Sequence, residues 1–192
     1  MPGDELDRLD ELAGELVRLR AMTVHDIDAM APFDRDTQGV RQSGETFIPR
    51  SPDVHRRTVE EWLARPNPGD TAGWVIEVLA TREAAGSMNV GRASPRNGRF
   101  SYGIGLGAPH RNQGYGSEAI TLLLRFYFGE LRYQKCDTTI YAFNDGSLRL
   151  HERLGFQVEG RIRRAVFTAG EHHDEIVVGI TAEEFFARHG GR

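Results

Sequence analysis

The sequence is poor in cysteine, with Cys136 the single one in 192 residues. That count excludes an intrachain disulfide and a metal centre built on several thiolates, and it fits a reducing compartment. Positive charge is not in excess either. The 24 Lys and Arg against 28 Asp and Glu leave a net charge of −4, which argues against a general nucleic-acid binder. Long apolar runs are missing. The most apolar helical stretch, around residues 119–128, is interrupted by Arg125 and is too short to cross a bilayer. The acidic N-terminal stretch lacks an apolar core of signal-peptide type. These absences predict a cytoplasmic protein without a membrane or nucleic-acid partner.

What is present is ordinary for a soluble globular chain: 39% apolar and 27% charged residues. The length suits a single domain over 1–192, with residues 1–14 an arm or short helix. Apolar and basic residues alternate over 16–21, a period-two strand signal, and Thr23 is placed to cap a helix running to Met30. Residues 32–53 carry Pro32, Gly39, Gly44, Pro49 and Pro52 without a period. They read as a long irregular segment with at most one helical turn, a kind of segment that is often functional. Ser51-Pro52 opens a helix to about Ala64. Strands are expected at 74–80, 86–91 and 99–106, joined by short Gly-, Asn- and Pro-rich turns, which predicts an antiparallel meander. A long helix to about Gly129 comes next, with Ala119, Leu122, Leu123 and Phe126 on one stripe. A strand at 135–142, a short helix at 144–153 stopped by Gly155, and a hairpin from 156–164 and 175–180 complete the order. Trp62, Trp74, Phe126 and Phe156 read as core. Arg161, Arg163 and Arg164 read as a solvated strand face.

The turn before the long helix carries the chemistry. It reads Arg111-Asn112-Gln113-Gly114-Tyr115-Gly116-Ser117. A helix start leaves backbone N–H groups unpaired and carries partial positive charge, so it is a place for phosphate. Gly114 and Gly116 let the backbone approach an anion closely, and Arg111 adds a full charge. The segment lacks the third glycine of the dinucleotide fingerprint and the Gly-Lys-Ser/Thr of a P-loop. Taken alone, it reads equally as a diphosphate cradle or as a tight turn capping a helix.

R-N-Q-G-Y-G-S-E-A resembles the Arg/Gln-x-x-Gly-x-Gly/Ala signature of the GNAT superfamily of N-acetyltransferases. F-S-Y-G-I-G-L before it is similar to the family's fourth strand. N-D-G-S-L-R-L-H-E-R-L-G-F resembles the second family motif, and V-E-G-R-I-R-R resembles the stretch after that motif in the RimJ/RimL-like branch. The resemblance covers about residues 74–185, in order. It implies an α/β fold of α+β type. A mixed, twisted, mostly antiparallel sheet of about seven strands has a splayed central pair and flanking helices, with acetyl-CoA lying in the splay. It further implies that pantetheine pairs with the main chain of Ile104, Gly105 and Leu106. The pyrophosphate would sit on the amides of Gln113, Gly114, Tyr115, Gly116 and Ser117 near Arg111 and Asn112, while Asn144 and Ser147 approach from the other side.

The transfer implied is direct attack of an amine on the thioester, and an ammonium must lose its proton before it can attack. The oxyanion donor expected is a backbone N–H at Gly105 or Leu106. His151 occupies the place where many relatives carry a tyrosine thought to protonate the leaving thiolate. Ser147 is one helical turn earlier on the same face. Either one is a candidate acid, and either one could be a packing or capping residue instead. Glu77 is a weak candidate base, also readable as a solvent-facing strand residue, and Glu45 could contact an amine. His172, His173 and Asp174 suggest no shared metal, because neighbours on a strand face opposite ways. The acceptor expected is a primary amine, on a protein N-terminus or a small molecule, with homodimerisation possible as in many relatives. The competing reading is a catalytically silent acyl-CoA-binding or regulatory module.

Overall fold

The computed structural model describes residues 12–31, 33, 36–43, 51–64 and 69–190. Glu45, most of the N-terminal arm and the Trp62 side chain lie outside the described residues.

Seven strands form one mixed sheet: β1 (Val17–Ala21), β2 (Ala72–Val78), β3 (Ala84–Ser94), β4 (Arg99–Leu106), β5 (Lys135–Tyr141), β6 (Gln157–Thr168) and β7 (Glu171–Thr181), in the spatial order β1-β2-β3-β4-β5-β7-β6. The expected meander β2-β3-β4 is antiparallel. The only parallel pair among the described strands is β4 with β5, and it is short: Arg99 pairs with Lys135 and Phe100 with Cys136, and then the two strands part. Thr138 Oγ1 donates to the Tyr102 carbonyl at 2.9 Å, the last bridge before the gap opens.

Among the described residues six α-helices accompany the sheet: α1 (Asp26–Met30), α2 (Thr37–Ser43), α3 (Pro52–Leu63), α4 (Tyr115–Gly129), α5 (Asp145–Leu154) and α6 (Ala182–His189). Side chains alternate along a strand, so one sheet face takes Val17, Leu19, Trp74, Ile76, Met88, Val90, Phe100 and Tyr102. These pack with Ala119, Ile120, Leu123 and Tyr127 of α4, and with Leu154 of α5 and Phe185 of α6, in one core. Phe100 stacks on Tyr127 at a centroid distance of 4.3 Å. Arg18, Arg20 and Glu77 necessarily point to the other face. There Arg20 holds Asp26 of α1, and Arg56 of α3 pairs with Asp28.

The bounds of β4 are those expected, and α4 ends at Gly129 as expected. Three differences have physical causes. Thr23 is not the cap of α1: the helix starts at Asp26, whose carboxylate reaches back to the Thr23 N–H and hydroxyl at 2.8 and 2.9 Å. The irregular segment contains the seven-residue α2. The C-terminal α6 was not expected at all. A capping box starts it, Thr181 and Glu184 bonding each other's backbone N–H. The final hairpin is also longer than expected. Its strands run past a bulge between Ile162 and Val166, where Asp174 accepts from Arg161 Nε and the Arg164 N–H, and turn at Ala169-Gly170, both at positive φ.

Candidate active site

Helix α4 begins without a side-chain cap. Gly114 stands at its N-cap with φ 86°, and the carbonyl of Gly114 takes the first helical bond, from Glu118. The N–H groups of Tyr115, Gly116 and Ser117 therefore precede the helical ladder and point out of the helix start. Asn112 is also left-handed, at φ 60°, so the chain coils around Gln113, whose side chain is anchored on the Pro109 carbonyl. Gly116 is buried beneath Leu106, Ile104 and Leu150. A Cβ there would lie 3.3 Å from Leu106 Cδ1, so the helix start is pressed between the end of β4 and α5.

Glu118 fixes this corner from behind. Its carboxylate accepts from the N–H groups of Glu15, Leu16 and Val17 at 2.8, 2.8 and 2.7 Å. The first strand is thereby tied to the first turn of α4. Composition and spacing gave no sign of this role.

Arg111 has a different occupation from the one expected. Its Nη2 pairs with Asp36, at the foot of α2, and its Nε donates to the Leu106 carbonyl at 3.1 Å. The Asp36 carboxyl is held below its usual range: burial pushes it up, and bonds from the Gly39 backbone and Arg111 outweigh that. Arg111 therefore clamps α2 onto the end of β4, and its charge acts on the helix start from the side.

The main chain of β4 divides by parity. The Tyr102 carbonyl points to β5 and the Leu106 carbonyl points away from β3, to Arg111. The Gly105 carbonyl points to β3, since a Cβ on Gly86 would lie 2.0 Å from it. By alternation, the N–H and C=O of Ile104 and the N–H of Leu106 face the gap between β4 and β5. The expected trio Ile104, Gly105 and Leu106 is thus split. The polar groups of Gly105 are turned into the sheet, and this glycine serves by what it lacks. A Cβ on it would meet nothing within 4 Å, so it leaves open space on the face opposite α4.

Across the gap stands α5. Asn144 caps it, accepting from the Ser147 N–H at 3.1 Å, and Gly155 ends it in the left-handed conformation expected. His151, one turn after Ser147, is 2% exposed. Its Nδ1 lies 2.8 Å from the Ser147 carbonyl oxygen and 3.3 Å from Ser147 Oγ, and its Nε2 lies 2.7 Å from Tyr102 Oη. Burial lowers the histidine pKa and raises that of the Tyr102 phenol well above its ordinary value. Tyr102 was missed by sequence reading. Its partner is 49 positions away, and the only sign was an aromatic on a core-facing position of β4.

Glu77, the expected base, is 5% exposed on the face opposite α4. It accepts from Arg18, Arg20 and Arg82 at 2.8, 2.5 and 3.3 Å. Burial alone would raise its pKa, but the three guanidinium groups overcome this and hold it ionised below the usual carboxylate range. A carboxylate so paired is a poor proton acceptor, and β3 lies between it and the β4–β5 gap. Its solvent-facing reading fails too, because the cluster buries it.

Two parallel strands part, a glycine helix start stands at the mouth of the gap, and an Asn-capped helix stands opposite. Residues 17–157 match the model of the acetyltransferase (GNAT) domain. The SPbeta prophage-derived uncharacterized N-acetyltransferase YokL of Bacillus subtilis is 37% identical over 92% of this chain and 96% of its own length. The putative ribosomal N-acetyltransferase YdaF of the same organism is 24% identical over 71% and 74%. The crystal structure of spermidine N-acetyltransferase from Vibrio cholerae, in complex with CoA and spermine, superposes with a TM-score of 0.78 over 90% of this chain and 99% of that one, at 17% identity. The chain belongs to the GNAT family of acetyltransferases, which move an acetyl group from acetyl-CoA to an amine.

Proposed function

We propose that acetyl-CoA lies in the β4–β5 gap with its pyrophosphate on the amides of Gln113–Ser117 and its pantetheine along the outward main chain of Ile104. The observation that carries this reading is the conjunction of an uncapped glycine helix start with the only pair of described strands that separates. Asn112 and Tyr115 flank the pyrophosphate. Arg111 sets the loop and Asn144 sets Ser147 in place. Developing negative charge on the thioester oxygen is met by the Leu106 N–H, the member of the expected pair that faces the gap. The amine enters from the face opposite α4, where Gly105 leaves room.

The acceptor is a primary amine, and two sources fit. Likeness to the ribosomal-type relative and the V-E-G-R-I-R-R motif favour a protein N-terminus of RimJ/RimL type. The superposition on a spermine-bound enzyme favours a polyamine. The first is our reading, because its motif lies in the sequence itself. The reaction compartment is the cytoplasm, as the lone buried Cys136 suggests.

The test is thiol release from acetyl-CoA with a panel of N-terminal peptides, spermidine and aminoglycosides. Turnover confined to peptides is expected. Turnover of spermidine alone would replace the acceptor. Tight acetyl-CoA binding without turnover of any amine would establish the silent module.

A further inference from the structure

One row of residues runs across the β4–β5 gap on the sheet face opposite α4. Before the strands part, Arg99 pairs with Lys135 and Phe100 with Cys136, and the Thr138 hydroxyl meets the Tyr102 carbonyl at the same offset of 36 positions. Carried along the two strands, that offset sets Tyr141 across the gap from Gly105. Cys136 and Ile140 turn into the core on the α4 side, so by alternation Tyr141 lies on the other face, as Gly105 does. On the next strand Glu175 pairs with Tyr141, and Ile162 of β6 pairs with Glu175. The row therefore reads Gly105, gap, Tyr141, Glu175, Ile162. An amine that passes Gly105 to reach the gap has Tyr141 and then Glu175 beside it.

Glu175 differs from the other strand carboxylates of this face. Glu77 is held by Arg18, Arg20 and Arg82, Asp137 by Arg99, and Glu159 by Lys135. Glu175 is half-buried, and its carboxylate has no hydrogen-bond or ion-pair partner among the described residues. The arginine nearest in the hairpin, Arg161, pairs with Asp174 instead, and alternation turns Asp174 away from Glu175. Beside Glu175 the Tyr141 ring stacks on Phe143 at a centroid distance of 5.5 Å, and Phe143 meets His173 edge to face at 4.8 Å. A partly desolvated carboxylate attracts a cation more strongly than one in open water, and aromatic rings next to it add to that attraction.

We propose that Glu175 is a specificity-determining residue that receives a second positive charge of the acceptor, about 5–10 Å from the reacting nitrogen, one to two strand spacings along the row. This rests on the reading that the amine meets acetyl-CoA in the β4–β5 gap. The acceptor class is then a primary amine with a cation close by. On a protein N-terminus that cation is a lysine or arginine side chain among the first residues, and in a polyamine it is the second ammonium. An acidic side chain at the same place is repelled.

The test measures kcat/KM at saturating acetyl-CoA for three peptides that differ only in a lysine, alanine or glutamate as second residue, and for spermidine beside butylamine. Wild type should favour lysine over alanine about tenfold, or about 1.4 kcal/mol, and should disfavour glutamate by a similar factor. Glu175→Gln should bring the lysine-to-alanine ratio within about twofold of one, mainly through KM. It should unfold within about 2 °C of wild type, since no ion pair is lost. Glu171→Gln, at an exposed position of the same strand, should keep the wild-type ratio. A lysine-to-alanine ratio that survives Glu175→Gln would overturn the proposal, and so would an equal loss on all three peptides, which is the mark of a structural role. Peptides turned over by wild type without regard to charge would overturn the subsite alone. Turnover of spermidine over butylamine with the same dependence on Glu175, and of no peptide, would support the subsite and make a polyamine the source of the cation. Acetyl-CoA binding without turnover of any amine would overturn the function proposed above and the subsite with it.

Discussion

Over β1 and β2 the sheet face opposite α4 is packed with charge, whereas at Gly105 of β4 the same face is open. Arg18, Arg20, Arg82, Asp26 and Glu77 fill the first region with mutually bonded ions. Gly105 leaves the second open, since a Cβ there would meet nothing within 4 Å. The two regions use one backbone plan for opposite ends. Ion pairs close a surface where α1 must be held, and each carboxylate there is satisfied by guanidinium groups. Gly105 opens the face beside the β4–β5 gap, and it costs the sheet side-chain packing. A carboxylate on the closed region is therefore structural even though its residue type suggests catalysis, and the open region contributes through atoms it does not have.

The comparison breaks most sharply at the glycines. Gly86→Val should abolish folding, because a side chain would strike the Gly105 carbonyl. Gly105→Val should leave the unfolding temperature near wild type and lower kcat/KM for the amine about 100-fold, or about 2.7 kcal/mol. A failure to fold like that of Gly86→Val would show that the open face is packed after all.

Gly114→Val comes next, with an expected loss of about 10- to 100-fold in acetyl-CoA affinity measured by calorimetry. A branched side chain at φ 86° costs about 1–2 kcal/mol and displaces the amides of the helix start. Unchanged affinity would remove the pyrophosphate from that turn.

In the closed region, Glu77→Gln should cost about 3 kcal/mol of stability by denaturant unfolding, since it removes the buried negative charge that three guanidinium groups share, with kcat unchanged. Glu77 titrates below its unfolded value of 4.5. Its contribution is complete above that pH and disappears as the pH falls through the lower folded value. The stability difference between wild type and Glu77→Gln should therefore be flat at neutral pH and shrink in acid. A fall in kcat greater than in stability would return Glu77 to catalysis.

The smallest effect is expected at the end of the chain. Thr181→Ala removes one half of the capping box of α6 and should cost about 1 kcal/mol, with no change in either substrate's KM.

Much of the fold was legible because its signals are local. Alternation marked β4, a 3.6-residue stripe marked α4, and Asn144 and Gly155 marked both ends of α5. The glycine turn was legible as an uncapped helix start for the same reason, since a left-handed Gly114 is a property of a few consecutive residues. Helix α6 was written in Thr181 and Glu184 but went unread. What was not legible depends on groups distant in sequence. Arg111 was expected to face the phosphate, and only the approach of Asp36, 75 positions earlier, gives it another partner. Glu77 was a free carboxylate in the sequence and is a triply paired one in the fold.

The sequence by itself determined most of the order of elements, the glycine turn at the start of α4 and the helix that carries Ser147 and His151, because backbone conformation depends on nearby residues. Only the tertiary structure decided how far β4 and β5 stay paired, which main-chain groups of β4 face the gap, and that Tyr102 meets His151. Those outcomes depend on the direction of strands and on burial, and burial is a property of the whole packed chain: it lowers the pKa of the His151 imidazole and raises that of the Tyr102 phenol.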